Sequence, residues 1–165
     1  MRRTASGGEM YRCLVVANLT AESPTLTRAV RELVEAHPDH ELVVLVPVYT
    51  ASPWHALAGL GYRPLRLARE RAARARARLE AVGGRVASVG LSLHLPDEAV
   101  EFELRHGDFQ GVVISTLPHP LLGWLHLDLP HRVASRHPEV RVFHVTAPRD
   151  FYLDQAILLP PGAAT

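Results

Sequence analysis

The residues of this 165-residue chain best equipped for chemistry crowd into one segment. Ser115 to Leu127 reads Ser-Thr-Leu-Pro-His-Pro-Leu-Leu-Gly-Trp-Leu-His-Leu, followed by Asp128-Leu129-Pro130-His131-Arg132. His119, His126, Asp128 and His131 are four metal-capable side chains, but their spacing matches no strong zinc pattern and no thiolate joins them. The preferred reading has no metal: His119 exposed, Asp128 a helix cap, and His126 and His131 in ordinary polar contacts. Trp124 with Leu121, Leu122, Leu125 and Leu127 reads as cover for a core rather than a ligand box. Ser115 and Thr116 follow an apolar run and are expected to be exposed at a strand end. No nucleophile-elbow sequence surrounds them, and a serine near some histidine is expected by chance in a chain with 10 histidines. Cys13 lies inside an apolar run, where a thiol is buried and inert. A Walker-type phosphate loop, a dinucleotide glycine fingerprint and the His-x-Gly-His signature of adenylyl transfer are all absent.

The elements that would position these residues alternate along the whole chain. Short apolar runs occur at Cys13–Ala17, Leu42–Val46, Val86–Leu93 (interrupted by Gly90), Val112–Ile114 and Val140–Val145. Apolar on both faces and rich in β-branched residues, they suit strands covered on both sides, as in a parallel sheet. Between them lie amphipathic stretches. Ser23-Pro24 caps a helix with an apolar face of Leu26, Ala29, Val30, Leu33 and Val34, which stops at His37-Pro38. Leu65, Ala68, Ala72, Ala75, Leu79 and Val82 form one narrow stripe, ended by Gly83-Gly84. Pro96-Asp97-Glu98 opens a third helix that Gly107 closes, and Asp128 to Arg136 is the fourth. The order β-α-β-α-β-α-β-α-β predicts an α/β fold: a single-domain open five-stranded parallel sheet with helices on both faces. Tyr49 to Pro64 is left as a long connection, and the tail from Thr146 to Thr165 carries the apolar piece Ala156–Leu159.

In such a sheet, ligands bind beyond the C-terminal strand ends at the switch in strand order, which here means the loops after Ala17, Val46 and Ile114. At these loops the chain resembles the universal stress proteins. In that family the fourth strand is followed by glycine, two residues, glycine, nine residues, then glycine and a hydroxyl residue. The spacing survives here without the residues: Ser115, Pro118 and Asp128 stand for the three glycines and Leu129 for the hydroxyl residue. Asn18 corresponds to the family's aspartate after the first strand, next to Ala17, and Val48 to the apolar position that packs on adenine in members that bind ATP. The resemblance implies a universal-stress-protein-like, adenine-nucleotide-α-hydrolase-like sheet of order 3-2-1-4-5. The ligand positions it carries over are Ala17, Asn18, Val48, Ser115, Thr116, Pro118, Asp128 and Leu129. Their chemistry argues against ATP: Pro118 lacks an N–H donor, and Asp128 would set a carboxylate against a polyphosphate. The expectation is therefore no cofactor and no catalytic residue.

Composition narrows the rest. All 18 basic residues are arginine, and with 17 acidic residues the net charge is +1, so nothing global draws the chain to nucleic acid or membrane. The arginines at 66, 69, 71, 74, 76 and 78 lack interleaved aromatics and read as a solvated helix face. Residues 1–9 are expected to be a disordered leader, 10–147 the domain and 148–165 a C-terminal extension. No membrane span and no signal-peptide core is evident, which predicts a cytoplasmic protein. The resemblance adds an expected homodimer through the fifth strand, with the extension contributing. The function so read is a non-catalytic stress-response or regulatory protein. The alternative is a nucleotide- or small-ligand-binding module, or an enzyme, using the altered loop after the fourth strand.

Overall fold

A computed structural model describes residues 10–48, 62–118 and 129–151. Nine elements follow one another in this region: β1 (Tyr11–Val16), α1 (Pro24–Ala36), β2 (His40–Pro47), α2 (Tyr62–Ala81), β3 (Val86–Ser92), α3 (Pro96–His106), β4 (Gly111–Thr116), α4 (Leu129–Arg136) and β5 (Arg141–Thr146). All strand pairs are parallel and the sheet order is β3-β2-β1-β4-β5, as expected. Val16, the last residue of β1, lies opposite both Leu45 and Ile114, so β2 and β4 each run two residues beyond it.

The apolar runs account for this layering. On one face Cys13, Val15, Leu42, Val44, Val46 and Val113 pack beneath Leu26, Val30 and Leu33 of α1 and Ala72, Ala75 and Leu79 of α2. On the other face Leu14, Val16, Val43, Leu45, Val112 and Ile114 pack beneath Ala99, Val100 and Leu104 of α3 and Leu129 and Val133 of α4. The central strands bury both faces, which is why their sequence shows no alternation. The alanine stripe of α2 lets that helix lie close on the sheet.

Local signals set the helix ends. Ser23 Oγ accepts the Leu26 N–H at 3.2 Å, with Pro24 at the first helical position. Gly83 ends the α2 segment at φ +92°, where a side chain would be strained. His40 is buried and locks this end of the sheet. Its Nδ1–H donates to the His37 carbonyl at 2.8 Å, and its Nε2 accepts the Arg85 N–H at 3.0 Å, which identifies the neutral Nδ1–H tautomer. A second polar junction ties α3 to α4 and β5. His137 sits between Glu101 (Nε2···Oε2 3.1 Å) and Glu139 (Nδ1···Oε1 3.2 Å), while Arg105 and Arg136 also reach Glu101.

Two boundaries that bear on the site depart from the sequence reading. α2 begins at Tyr62, inside the segment read as a connection, because Pro64 is tolerated in a first helical turn. β4 runs on through Ser115 and Thr116, which pair with Val145 and Thr146 of β5. These two residues are buried, at 9% and 6% exposure, rather than exposed at a strand end, because β5 pairs with both and the loop after β1 reaches the Ser115 carbonyl through Thr20. Among the described residues no helix is long and apolar enough to cross a membrane.

Candidate functional site

β1 and β4 are neighbours, yet β1 leads into α1 on one face and β4 is followed by α4 on the other. The chain thus parts at their C-terminal ends, the switch point at which open α/β sheets bind ligands. The loop after β1 folds tightly against itself, with Ala21 N–H on the Asn18 carbonyl at 3.0 Å and Ser23 N–H on that of Thr20 at 2.9 Å. Thr20 Oγ1 then donates to the Ser115 carbonyl at 3.0 Å, stitching this loop to the end of β4. The Ser115 hydroxyl is itself buried and has no hydrogen-bond partner among the described residues. Thr116 Oγ1 lies 2.8 Å from His144 Nε2 on β5. Partial desolvation, and then the nearby His131, lowers the His144 pKa from the usual histidine value.

Asn18 has a partner that its sequence position did not suggest. Arg71 Nη1, from α2, donates to Asn18 Oδ1 at 2.9 Å. Beside it, Arg74 Nε lies 2.9 Å from Glu22 Oε1 and Arg78 Nε 3.8 Å from Glu22 Oε2. Arg71 is half-buried, and that burial lowers its pKa from the usual arginine value, with Glu22 opposing the shift and Arg74 adding to it. The reading of six arginines as one solvated face therefore fails at Arg71, which turns in toward the β1 loop. Its position next to Ala72, a buried stripe residue, was the available signal.

Of the carried-over positions, the fold brings Ala17, Asn18, Ser115, Thr116 and Pro118 to the ends of β1 and β4. Val48 lies one strand away, buried, its N–H on the Ser92 carbonyl at 2.6 Å. Leu129 does not join them: at 3% exposure it is part of the core under α4. Asp128, His119, His126 and Trp124 lie outside the described residues. His131 is exposed on α4, and among the described residues no group of three or more potential ligands could hold a metal. Cys13 is fully buried, and burial pushes its thiol up to about 12, the inert state expected of it.

No family model matches the sequence, and neither does any curated protein. Solved structures do match. A universal stress protein from Archaeoglobus fulgidus superposes with a TM-score of 0.55 at 14% identity, covering 84% of this chain and 93% of that one. A universal stress protein in complex with cAMP gives 0.53 at 15% identity, over 84% of this chain and 98% of its own. A member of the family from Arabidopsis thaliana, with AMP bound, gives 0.52 at 13% identity, over 93% and 98%. At these identities the likeness speaks for the architecture, and it agrees with the strand order found above: this chain carries the fold of the universal stress proteins.

Proposed function

We propose that this protein is a non-catalytic, regulatory protein of the universal-stress-protein kind, acting in the cytoplasm in response to stress, whose crevice does not hold ATP in the family manner. The end of β4 carries this reading. Ser115 and Thr116 stay in the ladder with Val145 and Thr146, and Pro118 follows two residues later. A phosphate cradle needs successive free N–H groups on backbone that can adopt positive φ. Here two residues are committed to the sheet and a third has no N–H. The two nucleotide complexes among the similar structures contain AMP and cAMP. In this chain the corresponding crevice has Asn18 already engaged by Arg71.

The lack of catalysis rests on the same residues. Thr116 with His144 is the pairing closest to a nucleophile and base, but Thr116 is buried and each is satisfied by the other. A nucleophile must reach its substrate. The alternative of a small-ligand-binding module is favoured by one observation, the unpartnered Ser115 hydroxyl beside the β1 loop. Native mass spectrometry of the freshly purified full chain tests the ATP reading. The protein is expected to carry no adenosine triphosphate, and retention of one ATP per chain would overturn the proposal.

A further inference from the structure

We propose that the open edge of β3 docks an extended acidic segment of another protein, which adds to the sheet as a strand beneath the arginines of α2. β3 ends the sheet order, and no described strand pairs with its outer side. On its inner side Ser92 gives its carbonyl to the Val48 N–H at 2.6 Å. Peptide groups alternate in direction along a strand, so Val89 and Leu91 turn their N–H and C=O groups outward. Ala87 and Ser88 are exposed, and Val89 to Ser92 are half-buried. Chains normally blunt such an edge with charge, proline, a bulge or a cover. Val86 to Leu93 contains no charged residue and no proline. The one irregularity, a register shift opposite Leu42 and Val43, lies at the start of the strand and leaves Val89 to Ser92 in regular pairing. β5, the other edge, carries Arg141 and His144. The β3 edge therefore suits strand addition, in which main-chain hydrogen bonds hold the guest.

Charge decides what the guest must be. α2 packs over β3 and holds seven arginines against two glutamates, Glu70 and Glu80. Arg76 marks the flank that overlooks the edge. Its Nη2 donates to the Val86 carbonyl at 3.0 Å, and its Nε reaches Glu80 at 2.8 Å. Arg69, two helical turns earlier and so on the same flank, is exposed. At about 1.5 Å per residue the two arginines lie about 10.5 Å apart along the helix. Alternate side chains of a strand repeat at about 6.7 Å, so carboxylates on one face of the guest bracket that span. A second copy of this chain is the wrong guest. Pairing β3 with β3 about a two-fold axis would set two arginine-rich helices side by side. An acidic segment meets the opposite field and gains from it. The edge is separated from β1 by β2, so this inference stands apart from the ATP reading.

The test is nitrogen-15 NMR and amide hydrogen exchange on the full chain at low ionic strength. The probe is the peptide Thr-Glu-Val-Glu-Val-Glu-Thr, acetylated and amidated so that its only charges are carboxylates. Saturable shifts are expected along β3, and the Val89 and Leu91 amides, quick to exchange in the free chain, should become protected. A peptide with lysine in place of glutamate should bind more weakly. Arg69→Glu, a change at an exposed position, should weaken the glutamate peptide by about threefold or more and strengthen the lysine peptide. N-methylation of the peptide's valines or of its glutamates should abolish binding in one form only, because alternate N–H groups face the edge. Three results would overturn the proposal. The first is no saturable change at Val89 and Leu91. The second is protection of those amides without peptide, whether constant or rising with protein concentration, which would assign the edge to the chain itself or to a second copy. The third is equal binding of the glutamate and lysine peptides.

Discussion

Single residues carry the chemistry of this fold, and most of them were visible by type rather than by partner. Cys13 was legible because an apolar run of β-branched neighbours leaves a thiol nowhere to go but the core. Arg71 was not legible as an inward group. Helical periodicity says which face a residue occupies, but it does not say which loop lies opposite that face. Ser115 and Thr116 misled for a related reason, since hydroxyl residues before a proline look like a strand's exit until the pairing with β5 and the contact from the β1 loop are known. The Glu101 cluster belongs to this scale. The hydrogen bond with His137, helped by its charge and by Arg105, holds the Glu101 carboxyl below the usual glutamate range despite some burial. The unfolded chain therefore binds that proton more tightly than the fold does. The stabilisation is complete above the ordinary glutamate pKa and is lost as pH falls through the lowered one. Glu101→Gln is expected to cost about 1 kcal/mol at neutral pH, as a partly exposed charged hydrogen bond should. It should also flatten the acid limb of stability against pH. Urea denaturation at a series of pH values checks both, and a parallel displacement at every pH would contradict the assignment.

At the scale of elements, patterns of length and punctuation were enough to find every strand and helix described. Ser23-Pro24, His37-Pro38 and Gly83-Gly84 mark helix ends through backbone restrictions that act locally, so tertiary context had little to change. Boundaries moved where context did act, at Tyr62 and at Thr116. The outer strand β5 poses an element-scale problem. It pairs with β4 on one side, and no described strand covers the other. Val142, Phe143 and Val145 are only partly buried, while Arg141, His144 and Thr146 are exposed. An uncovered edge invites pairing. A homodimer through β5, with the C-terminal extension contributing, is our proposal for how it is protected, and a two-fold partner would satisfy both edges at once. Light scattering of the full chain at tens of micromolar should give twice the monomer mass, with weaker association in a version ending at Pro148. A monomeric full chain would rule the dimer out.

For the whole molecule, the alternation of elements and near-neutral charge identified an α/β domain with a parallel sheet. The strand order followed from the resemblance to the universal stress proteins, supported by right-handed crossovers. What the sequence could not show is how charge is distributed about the crevice, because Asn18, Arg71, Glu22 and Ser115 are far apart along the chain and meet only in the fold. We propose that this universal-stress-protein fold lacks an ATP cradle, a property of the molecule as a binding unit. Thermal unfolding in millimolar Mg-ATP, beside adenosine and buffer alone, tests it most directly. A ligand present at one hundred times its dissociation constant would add about 2.7 kcal/mol to stability, an effect visible in any melting curve. The account predicts a melting temperature in Mg-ATP that matches the adenosine and buffer controls. A clear rise with Mg-ATP and none with adenosine would contradict it.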